Sequence, residues 1–295
     1  MGKIVVDRFN VKASLYLLTH AHTDHMRGLR KGWSKGPILC SEETGRVIQA
    51  LYGVPKSLIP TIAPGEEIKV FGAVIKAYDA NHCPGALMFK VEREEEGNDK
   101  GKVEVYTGDF RLNDSMRGIL HEFEGADVCY LDMTYNNPCF MFPPQSHAIQ
   151  QVIEVLETCE GKDSFVGIYN IGKNKVVKAV SKHFGVPVYV PERTYRVYQA
   201  LDMGEIVTKN VEDTCISAYS RGFLEKPKVD SPLFYKISMG YTVIPTGWAC
   251  IMKPRNRRGR RIEYVAYSEH NDYYELQEFI KTIKPKKIVN FHRGK

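Results

Sequence analysis

The sequence predicts an α/β protein with two domains. Three observations predict it. Short apolar runs recur along the chain, and several of them stop at a His or an Asp. Between 165 and 201, strand-like and helix-like stretches alternate, as they do around a parallel sheet. The chain has 295 residues, 43% of them apolar, enough for a sizeable core and a second domain.

Taken in order, Ile4-Val5-Val6 reads as the first strand, ended by Asp7-Arg8-Phe9. Leu15-Tyr16-Leu17-Leu18 reads as a buried strand. Directly behind it stands Thr19-His20-Ala21-His22-Thr23-Asp24-His25, with three imidazoles and a carboxylate inside six residues. In extended backbone His20 and His22 project to the same side. Asp24 and His25 follow after the chain turns and face a second position. Imidazole with carboxylate suits zinc, with manganese or iron as alternatives. A surface histidine cluster without metal would not need an Asp at that offset. Asp7 is either a partner for a motif histidine or an ordinary turn carboxylate.

Pro37-Ile38-Leu39-Cys40 reads as a strand, and Ser41 as the cap of the helix that follows. Val74-Ile75-Lys76-Ala77-Tyr78 is a strand running into Asp79-Ala80-Asn81-His82-Cys83-Pro84-Gly85-Ala86. Pro84 and Gly85 fix a turn there. A lone His is usually structural, but His82 sits at a strand end with partners elsewhere and reads as a fourth ligand. Cys83 reads as a small buried filler. The charged stretch 92–102 reads as an exposed hairpin tip. Val103 to Thr107 alternates as a strand and ends in Gly108-Asp109. One carboxylate can bridge two metals, although strand-Gly-Asp is also common as a plain turn. Val128 to Leu131 is a short strand ending at Asp132.

Residues 146–160 have helical spacing, with Ile149, Val152, Ile153 and Leu156 on one face and Ser146 as cap. Phe165 to Tyr169 is a buried strand, 170–173 a tight turn and 174–184 a helix. That order can present backbone N–H groups and Lys173 to a phosphate. A strand at 186–190 and a helix at 194–201 continue the alternation. Tyr241 to Ile244 is a strand closed by Pro245-Thr246-Gly247-Trp248. Lys253, Arg255, Arg257, Arg258, Arg260 and Arg261 then place six cations in nine residues. Such a run reads as a solvated loop, a nuclear address or a contact for backbone phosphates. Glu263 to Tyr267 is a strand leading to Ser268-Glu269-His270. A helix with Leu276, Phe279, Ile280 and Ile283 on one face follows, and a last strand, 287–291, ends at His292.

Composition narrows the class. No segment approaches the ~20 apolar residues of a membrane span. No signal peptide is expected, because Met1-Gly2-Lys3 leads into a short mixed stretch. Gly2 is no acylation site with Val6 where Ser or Thr is needed. The seven cysteines are scattered without a CxxC pair, which argues against a disulfide framework and for a reducing compartment. A net charge of +6 permits a polyanionic partner without requiring one.

Strand ends carrying His20, His22, Asp24 and His25, then His82, then Asp109, resemble the metallo-β-lactamase fold. Leu131-Asp132-Met133-Thr134-Tyr135, Tyr267-Ser268-Glu269-His270 and Phe291-His292 resemble the added motifs of its β-CASP branch. Tyr106-Thr107-Gly108-Asp109-Phe110-Arg111, Phe142-Pro143-Pro144 and Tyr169-Asn170-Ile171-Gly172-Lys173 resemble the Artemis/Apollo DNA-repair nucleases within that branch. The resemblance covers nearly the whole chain. It implies an αββα sandwich, 1–145 with 262–295, holding an inserted β-CASP α/β domain, 146–261.

The resemblance also implies roles. His20, His22, His82 and Asp109 would hold one zinc; Asp24, His25 and Asp109 would hold a second. Asp24 is then indispensable for cleavage. Asp132 would orient His270, a candidate general acid for the leaving 3′ oxygen. Lys173 and Thr246 are candidate walls of a pocket for a 5′ phosphate. The DNA-specific members generally carry valine at the last motif. His292 departs from that, could complete the second zinc shell, and leaves RNA open as a substrate. The chain ends three residues after His292, ahead of the closing helix such folds usually carry. It is therefore either unusually compact or a fragment.

The leading expectation is a zinc-dependent 5′ exonuclease acting on single- or double-stranded DNA in repair or end processing. It would be nuclear, with the cytoplasm as alternative, monomeric, and without a membrane partner. An RNA-processing endonuclease is the runner-up. A non-catalytic scaffold would predict decayed motifs. A small-molecule hydrolase would have no use for the inserted domain and the basic run.

Overall fold

Local signals account for the first elements. β1 (Ile4–Val6), β2 (Leu15–Leu17) and β3 (Ile38–Leu39) form a small parallel sheet in that order. Helix α1 (Glu42–Tyr52) starts where the Ser41 hydroxyl accepts from the Thr44 N–H, and stops at left-handed Gly53. The computed structural model describes residues 2–94, 101–159, 162–227, 232–252, 255–257 and 260–291.

Strands β4 (Glu67–Val70), β5 (Ala73–Asp79), β6 (Leu87–Arg93) and β7 (Lys102–Tyr106) follow as an antiparallel meander. After helix α2 (Asp114–Arg117), β8 (Val128–Leu131) adds in parallel to β7. Alternation along β5 sends Ala73, Ile75 and Ala77 inward. With Leu87, Phe89 and Val91 they close on Ile4, Val6, Leu15, Leu17 and Leu39 of the small sheet, which makes the core between the two sheets.

The middle of the chain builds a second unit. Its elements are α3 (Gln145–Glu157), β9 (Ser164–Ile168), α4 (Asn174–Phe184), β10 (Val188–Tyr189), α5 (Glu192–Ala200), β11 (Val207–Thr208), β12 (Ile216–Ser220), α6 (Arg221–Glu225), α7 (Pro232–Met239), β13 (Tyr241–Pro245), β14 (Arg255–Arg257) and β15 (Arg260–Val265). The sheet order is β11-β10-β12-β9-β13-β15-β14, parallel except for β14 at the edge. Every residue of β9 is buried because helices cover both faces. Val166 and Ile168 pack with α3 and α4, whereas Phe165 packs with Leu224 and Ile237 on the other side.

The chain then returns to the first unit. Helix α8 (Tyr273–Ile283) opens with a capping box of Asp272 and Glu275, and Phe279 packs on Phe110 with ring centroids 4.7 Å apart. β16 (Ile288–Asn290) adds in parallel to β8, so the larger sheet reads β16-β8-β7-β6-β5-β4.

Contacts divide the chain into Met1–Asn136 with Glu269–Lys295, and Asn137–Ser268. The expected cuts after 145 and 261 both fall inside the second of these. β15 belongs to the seven-stranded sheet through Val265, and the Phe140 ring meets Trp248 of the same unit.

Two local expectations need correction. Helix α3 starts at Gln145 with Pro144 before it and no side-chain cap, so Ser146 lies in the first turn. The basic run is not simply a loop, because β14 and β15 pair antiparallel within it. Lys253, Arg258 and His292 lie outside the described residues. None of the seven cysteines is in a disulfide. Among the described residues no helix is long and apolar enough to cross a membrane.

Candidate metal centre

The first unit gathers its histidines and carboxylates beyond the ends of β2, β5, β7 and β8. Leaving β2, the chain is held by Asp7. The Thr19 N–H donates to Asp7 Oδ1 at 2.9 Å, and the Thr19 hydroxyl donates to Oδ2 at 2.6 Å. Asp7 Oδ2 also accepts from Nδ1 of His25 at 2.6 Å. Asp7 is therefore the partner of a motif histidine, and its left-handed φ of 50° is part of that placement. With Nδ1 committed as donor, His25 turns Nε2 toward Asp109 Oδ1 at 3.2 Å and Asp24 Oδ2 at 3.4 Å.

Asp109 arrives from β7 through Gly108. That glycine has φ 54°, and a Cβ there would stand 2.8 Å from Thr19. Only glycine permits this approach of the two strand ends without a shift. His82 arrives from β5, and its Nδ1 donates to the Glu269 carbonyl at 2.8 Å, which leaves Nε2 facing inward. The turn behind it is pinned where the Ser41 and Thr44 hydroxyls donate to the Gly85 carbonyl.

The result is three overlapping groups, each with ligand atoms within 4.8 Å of one another: His20, His22, His82 and Asp109; Asp24, His25 and Asp109; and Asp109, Asp132 and His270. Asp109 belongs to all three. Asp132 is buried and accepts from His270 Nδ1 at 2.7 Å and from the Thr134 hydroxyl at 2.6 Å. His270 keeps part of its ring exposed, next to His82.

Electrostatics agree with the geometry. Burial, with the neighbouring imidazoles His25 and His22, holds His20 well below the usual histidine range. Burial and His270 do the same to His82. Burial would also lower His25, but the Asp109 and Asp7 carboxylates outweigh it and push that histidine up to about 10. Buried imidazoles and carboxylates together make a donor set for a divalent cation, which would displace the proton that His25 holds in its absence. Buried Nε2 of His20 forms no hydrogen bond among the described residues, as a nitrogen reserved for a cation would not. The residues present therefore fit a divalent metal.

Lys173 and Thr246 belong to the second unit. Lys173 is buried with φ 58°, and its Nζ donates to the Gly167 carbonyl at 3.2 Å and lies 4.4 Å from the Tyr169 ring centroid. The turn ahead of α4 partly serves itself, since the Gly172 N–H donates to Asn174 Oδ1. Thr246 is buried, and its hydroxyl accepts from the Trp248 N–H. Sequence reasoning did not reach Thr19, Thr134 or the Glu269 carbonyl. All three act on residues that only folding brings near, or through a backbone atom.

Residues 9–166 match the family described as beta-lactamase superfamily domain. Residues 199–291 match that described as DNA repair metallo-beta-lactamase. The chain belongs to the metallo-β-lactamase superfamily, in its DNA-repair branch. It is 31% identical over 296 residues to the DNA cross-link repair protein SNM1 of Arabidopsis thaliana, covering 94% of this chain and 60% of that one. It is 33% identical to DNA ligase 6 of the same plant, covering 97% of this chain and 22% of that one. To the 5′ exonuclease Apollo of Gallus gallus it is 28% identical, covering 99% and 62%. The metallo-β-lactamase chain thus spans less than two thirds of each of these relatives. A solved structure of a protein of unknown function from Enterococcus faecalis V583 shares the fold, with TM-score 0.61 at 13% identity over 94% of this chain and 75% of that one.

Proposed function

We propose that this metallo-β-lactamase chain is a zinc-dependent DNA nuclease, a 5′ exonuclease working in repair or end processing. The observation that carries the reading is the position of Asp109, shared by the His20-His22-His82 group, the Asp24-His25 group and the Asp132-His270 pair. One carboxylate common to two adjacent donor sets suits a pair of ions, and a histidine beside them suits proton transfer.

His20, His22, His82 and Asp109 would hold one ion; Asp24, His25 and Asp109 would hold the other, with His292 as a further ligand. Such a pair supplies an activated water and neutralises charge on a phosphodiester. The chain's own groups do the rest. Asp7 and the Glu269 carbonyl fix the tautomers of His25 and His82. Asp132 holds Nδ1–H of His270, which leaves Nε2 to carry a proton to the departing 3′ oxygen. Lys173 and Thr246 are proposed to meet a terminal phosphate, for which Lys173 must exchange the Gly167 carbonyl for the anion.

DNA as substrate, action in the nucleus and a monomeric state belong to the same proposal. Likeness to proteins named for DNA cross-link repair supports the first two. His292 keeps RNA as the competing substrate.

The test digests matched 5′-labelled DNA and RNA, single- and double-stranded, with and without chelator. Chelator-sensitive release of 5′ nucleotides from DNA is expected. Turnover that persists undiminished after metal stripping, or cleavage of RNA alone, would overturn the assignment.

A further inference from the structure

The second unit has a cavity that the hydrolase reading leaves unused. It lies at the N-terminal ends of three adjoining parallel strands, where Tyr241 stands in register between Ser164 and Arg261. Its volume is about 760 Å³, within the range that houses a nucleotide-sized ligand. Lys162, Asp163, Tyr235, Lys236, Tyr241 and Arg261 are among the residues that line it, three cations against one carboxylate. Backbone bonds fix the wall: the Gly240 N–H donates to the Lys236 carbonyl at 2.8 Å, and the Tyr241 N–H donates to the Asp163 carbonyl at 3.1 Å. Gly240 is pressed so close to Asp163 and Phe165 that a Cβ would meet them at 2.5 and 2.6 Å.

Two kinds of group converge there. Tyr235 is 72% exposed although Ile237, two residues on, is fully buried. An aromatic ring is thus left facing solvent at the cavity. Tyr241 offers a second ring, with the Lys162 ammonium 5.8 Å from its centroid. Of the three cations, Lys236 lies 4.0 Å from Asp163 and Arg261 lies 2.8 Å from Glu263. Lys162 makes no ion pair among the described residues. A bare anion would have no use for the exposed ring, and an apolar peptide none for the cations. Exposed aromatic faces beside Lys and Arg are the combination that takes a base together with its phosphate.

We propose that this cavity binds a nucleoside phosphate, its base on Tyr235 and its phosphate toward Lys162 and Arg261. The site is distinct from the turn carrying Lys173. The five residues of β9 separate the two ends of the sheet, about 16 Å at ~3.3 Å per residue. The ligand is either a free nucleotide or one residue of a longer strand. The inference goes beyond the hydrolase reading and does not depend on it.

The test titrates the intact chain, in chelator so that nothing turns over, with dAMP, adenosine, inorganic phosphate and (dT)12 by calorimetry. dAMP is expected to bind more tightly than adenosine or phosphate. Lys162→Ala and Tyr235→Ala each weaken it roughly tenfold. Both side chains are exposed, and far-UV circular dichroism verifies that the variants fold. Tighter binding of (dT)12 than of dAMP, lost in the same variants, identifies a strand contact. Binding of dAMP alone identifies a free nucleotide. Unchanged dAMP affinity in the Lys162→Ala/Tyr235→Ala double variant, or phosphate binding as tightly as dAMP, overturns the proposal.

Discussion

Oδ2 of Asp7 lies 2.6 Å from Nδ1 of His25, and neither side chain is open to solvent. The residues are 18 apart in sequence, and Thr19 joins them through its hydroxyl and its N–H. A carboxylate in that place orients the imidazole and raises its basicity toward whatever Nε2 meets. Asp7→Ala is therefore expected to lower divalent-metal affinity ~10- to 100-fold. Competition against a chelating dye measures it. Affinity equal to that of the parent chain would show that His25 is not held for a metal.

His270 carries a different expectation. Its Nδ1 is fixed by Asp132 and part of its ring is exposed, so it can touch substrate while the His20-His22-His82 and Asp24-His25 groups that share Asp109 stay intact. His270→Ala should reduce kcat on DNA by roughly 10²- to 10⁴-fold, with metal content unchanged by atomic absorption. Asp132→Asn, which takes away the carboxylate that holds Nδ1, should lower kcat in the same direction. Near-normal turnover in a metal-replete His270→Ala chain would remove the general-acid role.

Gly108 tests the approach of the two strand ends. An added methyl would meet Thr19 at 2.8 Å and would have to keep φ 54°. Left-handed backbone and steric strain together should cost about 2 kcal/mol, roughly 4–8 °C in melting temperature for a unit of this size. Gly108→Ala should also lose metal affinity, because Asp109 moves with it. Thermal melts of the chelated and loaded chain read both effects.

Most of the site was legible because its side chains stand on strand ends marked by residue type. HxHxDH, His82 and Asp109 could be picked out without coordinates, and the chain brings them within a few ångströms of one another. What was illegible is what depends on distance in sequence. Asp7 read equally well as a turn residue, since nothing local reveals that Thr19 and His25 close over it. The parallel sheet of the middle region was readable from fully buried runs such as Phe165 to Ile168. The pairing of β14 with β15 was not, because charge in 253–261 masks the alternation on which strand reading relies. Helix α3 misled in a smaller way. Ser146 is a good capping residue by type, yet the backbone enters the helix from Pro144, two positions earlier.

The buried histidines also set how the metal-free chain responds to acid. Folding lowers the affinity of His20 and His82 for protons below their usual value of 6.5. Below about pH 6.5 the unfolded chain takes up protons that the folded chain refuses, so stability falls as pH drops. Each group contributes a slope of up to about 1.4 kcal/mol per pH unit in that window. His25 acts with the opposite sign. Raised to about 10, its contribution is fully present below 6.5 and is lost as pH rises toward 10. Chelated protein should therefore be most stable near pH 6.5. Urea melts at pH 5, 6.5 and 8 should place the highest midpoint in the middle. His82→Asn should shallow the acid limb alone, because it removes one of the two groups that refuse a proton. Midpoints that rise steadily from pH 5 to pH 8 would contradict the part assigned to His25, and midpoints that do not fall at pH 5 would contradict the part assigned to His20 and His82.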